Sequence, residues 1–209
     1  MPCSLVPARV LDSIFDLKPD ALKAAGVTLV LADLDNTLVP YEQTGPDDRV
    51  RRWKDALEAA GVRLFVVSNN RKGWRVPTYC DDLGIPYVRH AGKPGTSGYL
   101  KAMEAAGAAP GETLMVGDQI FTDIWGANRA GVRAVLVKPI AIGKNPLRAV
   151  RYAAETPFRL AGRRKGRPSP SPASPEPPPP EGEAQRKRGI SPSPASPEPP
   201  PPEGEAQRK

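Results

Sequence analysis

The sequence predicts an α/β protein, a three-layer arrangement in which a parallel sheet is covered by helices on both faces. Three observations predict it. Almost unbroken apolar runs of strand length recur at 27–33, 62–68, 85–89, 113–117 and 132–137. A strand that is apolar on both sides needs cover on both sides, which is the condition of a parallel sheet. Segments of helix length separate these runs, and glycines at 26, 61, 84, 107 and 131 stand where those helices should stop, because glycine enters the left-handed region without a Cβ clash.

Each element has a local reason. The first 26 residues mix apolar side chains (Leu5, Val10, Leu11, Ile14, Phe15, Leu17) with prolines and charges and read as a leader that packs on the core through short helical pieces. Asp20 to Ala25 reads as a compact helix with Asp20 as its N-cap. Helices are expected over 47–60, over 72–83 despite Pro77, over 96–106 and over 122–130, each before one of the glycines. After the last strand, 145–160 can form a helix with Leu147, Val150, Ala154 and Phe158 on one face and Arg148, Arg151 and Arg159 elsewhere. Pro157 should spoil its last turn. Two dispositions are open to it: a closing helix packed on the sheet, or a basic amphipathic helix that meets anionic lipid.

The chain has 209 residues and a formal net charge of +7. Residues 27–161 suffice for one core domain. Residues 162–209 are a tail of Pro, Ser, Glu, Lys and Arg in which Ser169 to Lys187 recurs unchanged as Ser191 to Lys209. Such a composition cannot bury apolar area and should be disordered, with polyproline character. The tail holds nine of the 30 basic residues against six of the 23 acidic ones, so the core is only mildly basic. That is weak for a nucleic-acid binder and suits an anionic substrate or surface. Two cysteines, Cys3 and Cys80, make no disulfide framework, and a cytoplasmic location is expected, with peripheral membrane attachment as a further option. No apolar run approaches the ~20 residues of a membrane span. An oligomer is compatible with the sequence.

The first central strand ends in Asp33-Leu34-Asp35-Asn36-Thr37. Ending an apolar strand in two carboxylates is costly unless they share a task, and phosphoryl transfer is such a task. Asp33 is the expected nucleophile. Asp35 is the expected acid for the leaving oxygen and then the base for water, a role worth roughly 10²–10⁴-fold. Ser68 at a strand end, with the Asn69 amide beside it, can bind the phosphoryl group. Lys93 in Gly92-Lys93-Pro94 can neutralise carboxylates and phosphate. Mg²⁺ is the expected cofactor, bound by the Asp33 and Asp118 carboxylates and the Asp35 carbonyl. Asp123 would hold a metal-bound water or orient its neighbours. His90 reads as a surface residue and Cys80 as core packing.

These residues together resemble the haloacid dehalogenase (HAD) superfamily: Asp33 to Thr37 as its first motif, Ser68 as its second, Lys93 as its third, and Gly117-Asp118-Gln119-Ile120-Phe121-Thr122-Asp123 as its fourth. Asp35 separates it from the dehalogenases and points to phosphate chemistry. The longer stretches Asp33 to Pro40, Val67 to Asn70 and Gly117 to Asn128, with Asp12 to Leu17, are similar to the YqeG family of subclass IIIA phosphatases. That group is similar to mitochondrial phosphatidylglycerophosphate phosphatases. The resemblance covers residues 5–160. It implies a Rossmann-like, HAD-like fold, a phosphorylated substrate, and a phosphatidylglycerophosphate-type lipid as the favoured one. The gaps from Thr37 to Ser68 and from Ser68 to Lys93 have no room for a cap domain. Tyr41, Arg71, Lys72, Trp74 and Arg75 are near enough to the motifs to form a rim. Other substrates in view are a nucleic-acid end, a phosphoprotein or a small metabolite. A phosphate-binding protein without activity is a third reading, which Asp35 disfavours.

Overall fold

The computed structural model describes residues 4–141 and 146–165. Its centre is a six-stranded, wholly parallel sheet in the order β1-β6-β5-β2-β3-β4. The strands are β1 (Arg9–Leu11), β2 (Leu29–Ala32), β3 (Arg63–Val67), β4 (Tyr87–Val88), β5 (Thr113–Gly117) and β6 (Arg133–Val137). The helices are α1 (Pro19–Ala24), α2 (Asp48–Ala59), α3 (Arg75–Leu83), α4 (Ser97–Ala106), α5 (Trp125–Arg129) and α6 (Pro146–Lys165). β2 is central, pairing Leu31 with Phe65 of β3 and with Met115 of β5.

The strand period of two divides the core. Val30, Ala32, Leu64, Val66, Leu114 and Val116 face one layer, built from the leader, α2 and α3. Leu29, Leu31, Phe65, Val67 and Met115 face the other, with Tyr99 and Met103 of α4 and Ala127 of α5. Cys80 is fully buried in the first layer, and His90 is exposed. Among the described residues no helix is long and apolar enough to cross a membrane.

Four local expectations are corrected. Part of the leader is a strand: β1 joins the sheet edge beside β6 with Val10 opposite Leu136. Lys18 occupies the N-cap position of α1 without a side-chain cap bond and Pro19 opens the first turn, so Asp20 lies inside the helix; the fixed φ of proline suits that first position. Pro157 does not end α6, which runs on to Lys165. The buried face of α6 is also not the expected one. Val150 is 66% exposed, whereas Glu155 and Arg159 are buried. Gly162 lies on that same face, where a Cβ would strike Pro7 and Val10. The side chains of Leu147 and Arg148, Cys3, and the repeats beyond Ser169 lie outside the described residues.

Candidate active site

Three strands deliver the site at their carboxyl ends, where open parallel sheets bind ligands. Asp33 follows β2, Ser68 follows β3 and Asp118 follows β5. The Asp33 amide still donates to the Val116 carbonyl at 2.9 Å, so the first carboxylate is placed by the sheet ladder itself. Beyond it the chain reverses. Asn36 takes a left-handed φ of 64° and its amide donates to the Val39 carbonyl at 2.7 Å. Asparagine tolerates that conformation better than most residues with a Cβ. The turn presents Asp33 and Asp35 to one cleft of about 380 Å³, shared with Ser68, Asn69, Lys93 and Asp123.

Lys93 is the hub. Its buried Nζ donates to Asp33 Oδ1 at 2.5 Å, to Asp123 Oδ1 at 2.7 Å and to the Val67 carbonyl at 2.8 Å. Asn69 fixes the Lys93 backbone from both sides. Its Nδ2 donates to the Lys93 carbonyl at 2.8 Å and its Oδ1 accepts from the Lys93 amide at 2.9 Å. Burial works against the Lys93 charge, but Asp123 and Asp33 outweigh it and hold the ammonium well above its ordinary range. Asp123 Oδ2 accepts from the Gln119 amide at 3.1 Å, so both oxygens of Asp123 are engaged. A Cβ on Gly117 would occupy the place of this carboxylate, which is why the fourth motif opens on glycine. Ser68 is buried, and its Oγ accepts from the Asn70 amide at 3.1 Å.

Asp35 stands apart from this cluster. Its Oδ1 accepts from Arg75 Nε at 2.6 Å and its Oδ2 from Asn70 Nδ2 at 2.6 Å. Arg75 is only 1% exposed and also donates to the carbonyls of Gln43 and Pro40. Sequence reasoning placed Arg75 on the rim; instead it is a buried strut behind Asp35. Arg71, Lys72 and Tyr41 do line the cleft. Lys72 Nζ lies 4.8 Å from the Tyr41 ring and 5.9 Å from that of Trp74.

The brace on the fourth motif was also missed. Glu155 Oε1 accepts from the Ile120 amide at 2.9 Å and the Phe121 amide at 3.3 Å. Arg159 Nη2 donates to the Asp118 carbonyl at 2.9 Å and to Glu155 Oε2 at 2.7 Å. The i,i+4 spacing of Glu155 and Arg159 was visible in the sequence, but an exposed pair of the same spacing looks identical. Arg159 therefore does not face a lipid surface.

The donor set fits a divalent cation. One oxygen each of Asp33, Asp118 and Asp123 lies within 4.8 Å of the others. Asp118 Oδ1 is buried and has no hydrogen-bond partner among the described residues. The Lys93 ammonium bonds Asp33 and Asp123, and three carboxylates around that one cation leave room for a further positive charge. Burial pushes the Asp33 carboxyl up to about 7; Lys93 opposes the rise and the Asp123 and Asp35 charges add to it. Burial also drives Asp118 well above the ordinary carboxylate range, with help from Asp123 and Asp33.

These shifts carry a stability consequence. A carboxyl raised in the folded state binds more protons there than in the unfolded chain. Its contribution is therefore present at low pH and is lost as pH rises from about 4 through about 7. With a chelator present, the melting temperature of the unaltered protein, referred to that of Asp33→Asn, is expected to fall over this window and then level. Excess divalent cation should remove the dependence, and a pH-independent difference in the chelated protein would contradict it.

The chain is similar to known proteins. The HAD-hydrolase-like family model matches residues 90–157, which include Lys93, Asp118 and Asp123. The chain is 30% identical over 161 residues to the "Probable phosphatase YqeG" of Bacillus subtilis, covering 77% of this chain and 93% of that one. It is 33% identical over 138 residues to the chloroplastic phosphatidylglycerophosphate phosphatase 1 of Chlamydomonas reinhardtii, covering 62% of this chain and about half of that one, 51%. Among solved structures, the cobalt-bound deoxy-D-mannose-octulosonate 8-phosphate phosphatase of Haemophilus influenzae aligns with a TM-score of 0.40 and 16% identity, over 67% of this chain and 93% of that one. The family match and the YqeG relative define a phosphatase of the HAD-like class, and among the described residues no cap domain is inserted between the strands that carry the site. Within that class, the chain belongs to the YqeG family.

Proposed function

We propose that this phosphatase hydrolyses phosphomonoesters with Mg²⁺ through an aspartyl phosphate on Asp33, and that its substrate is a phosphatidylglycerophosphate-type lipid. The observation that supports the chemistry most is the division of labour between the two aspartates. Asp33 lies in the acidic cluster with Lys93 on its Oδ1, whereas Asp35 is held outside it by Arg75 and Asn70.

In this reading an Asp33 oxygen attacks phosphorus and the bond to the leaving oxygen breaks. Asp35, carrying a proton on a lone pair that its two hydrogen bonds leave free, gives that proton to the leaving oxygen. Asp35 then takes a proton from water, which attacks the phosphoryl group and returns Asp33 and inorganic phosphate. Ser68 and the Asn69 amide hold the equatorial oxygens, and Lys93, whose three donors go to Asp33, Asp123 and the Val67 carbonyl, steadies their shifting charge through its own positive charge nearby. Asp123 keeps Lys93 aimed at Asp33. A Mg²⁺ held by Asp33, Asp118 and the Asp35 carbonyl would offset carboxylate and phosphoryl charge when bound.

Support for the lipid substrate comes from the phosphatidylglycerophosphate phosphatase relative and from the open cleft, which admits a phosphate carried on a surface. The protein would then work as a cytoplasmic enzyme that reaches the membrane peripherally, with the proline-rich repeats of 169–209 dispensable for catalysis. Turnover is expected to vanish in EDTA and return with Mg²⁺, and to be higher on phosphatidylglycerophosphate in mixed micelles than on glycerol 3-phosphate. Equal turnover on the two would point to a soluble phosphate, and undiminished turnover in EDTA would remove the metal from the reading.

A further inference from the structure

We infer that the cleft holds a subsite for a second anionic group of the substrate and that Arg151 is its specificity-determining residue. This rests on the phosphatase reading, which places the reacting phosphoryl group at Asp33. That group already has Lys93, Ser68 and Asn69 for its charge. Yet Arg71, Lys72 and Arg151 also line the cleft, and none of the three pairs with a carboxylate among the described residues. Unpaired cations beside a cleft whose single phosphate is already served call for a further negative charge.

Arg151 is fixed where it stands. Residues 151, 155 and 159 share one face of α6 at a spacing of four. Glu155 and Arg159 pin that face to the backbone of Asp118, Ile120 and Phe121. One turn before Glu155, Arg151 Nη1 donates to Gln119 Oε1. The Gln119 backbone N–H is itself tied to Asp123 Oδ2. A guanidinium has five N–H donors in a rigid fork, so one bond to Gln119 aims the remainder without exhausting them. Lys72 is steadied by the Tyr41 ring rather than by an acid, which leaves its charge for a ligand. The class of ligand is a phosphomonoester that also carries a phosphodiester or a second phosphate. A lipid headgroup and its soluble counterpart share that chemistry.

The test compares kcat/KM on glycerol 3-phosphate, on the soluble deacylated glycerophosphoglycerol phosphate, and on phosphatidylglycerophosphate in neutral-detergent micelles. The unaltered protein should prefer both two-anion substrates. Arg151→Ala should lower kcat/KM on both by about 10- to 100-fold through KM, the loss of one charge-assisted contact. That loss should exceed the loss on glycerol 3-phosphate by about tenfold, and Arg151→Lys should recover part of it. Equal proportional losses on one- and two-anion substrates would overturn the subsite. A loss confined to the lipid form would overturn it in favour of a bilayer contact. The same ratios can be read as Kd by calorimetry in the Asp33→Asn background. If no phosphomonoester is turned over, the phosphatase chemistry fails while the subsite is still judged by those Kd values.

Discussion

Asp33→Asn is expected to lower turnover by roughly 10⁴-fold or more, on the scale seen when a covalent nucleophile is removed, while the fold survives. An amide is close in shape to a carboxylate, and its oxygen can still accept from Lys93 Nζ, now at 2.5 Å from Asp33 Oδ1. It cannot form a stable acyl phosphate. The buried position disfavours the charged form of Asp33, so a neutral replacement removes a strain as well as a partner. Circular dichroism should remain that of the unaltered protein. Asp35→Asn separates the two half-reactions. It removes the acid for the first and the base for the second, so with an aryl phosphate, whose leaving group needs no proton, radiolabelled phosphate should stay on the enzyme. Near-normal turnover by Asp33→Asn with Mg²⁺ present would end the covalent mechanism.

Lys93→Met should be the most damaging change to the molecule as a whole. It leaves Asp33 and Asp123 facing one another without the ammonium that now touches both, and it strips the Val67 carbonyl of its Nζ donor. Breaking a buried ion pair by removing one partner costs about 3–5 kcal/mol. Turnover should fall by about 10²–10³-fold, the scale of one lost charge-stabilising donor. Urea unfolding gives the stability, and its pH dependence identifies the cause. The deficit should shrink toward acid pH, where the carboxylates protonate and no longer need the cation. A deficit of constant size from pH 4 to 8 would mean that lost packing, not lost charge, accounts for it.

The helices and strands were legible because their signals are local. The unbroken apolar run Leu29 to Ala32 reads as a strand covered on both faces, and Asp47, which caps α2 through the Val50 amide at 2.8 Å, is a signal within four residues. The strand at Arg9–Leu11 was not legible. One exposed residue and two half-buried ones have no periodicity to read, and they are a strand only because the edge of β6 offers them partners. The paired aspartates, Ser68, Lys93, Asp118 and Asp123 could be read as candidates because each sits just beyond a strand or in a short motif.

By itself, then, the sequence determined the alternation of strands and helices, the strand ends that carry the acidic and basic groups, and the absence of space for a cap. Only the tertiary structure decided which polar groups are buried and against what. Arg75 and Arg159 look in the sequence like surface arginines; folding puts one behind Asp35 and the other under the Asp118 carbonyl. Glu155 looks like a solvated helix acid and instead caps two amides of the fourth motif. The reason is physical. Apolar periodicity reports burial directly because transfer from water is favourable wherever it occurs. A charged side chain is buried only when a specific partner meets it, and that partner, 34 to 41 residues away for these contacts, is set by the fold.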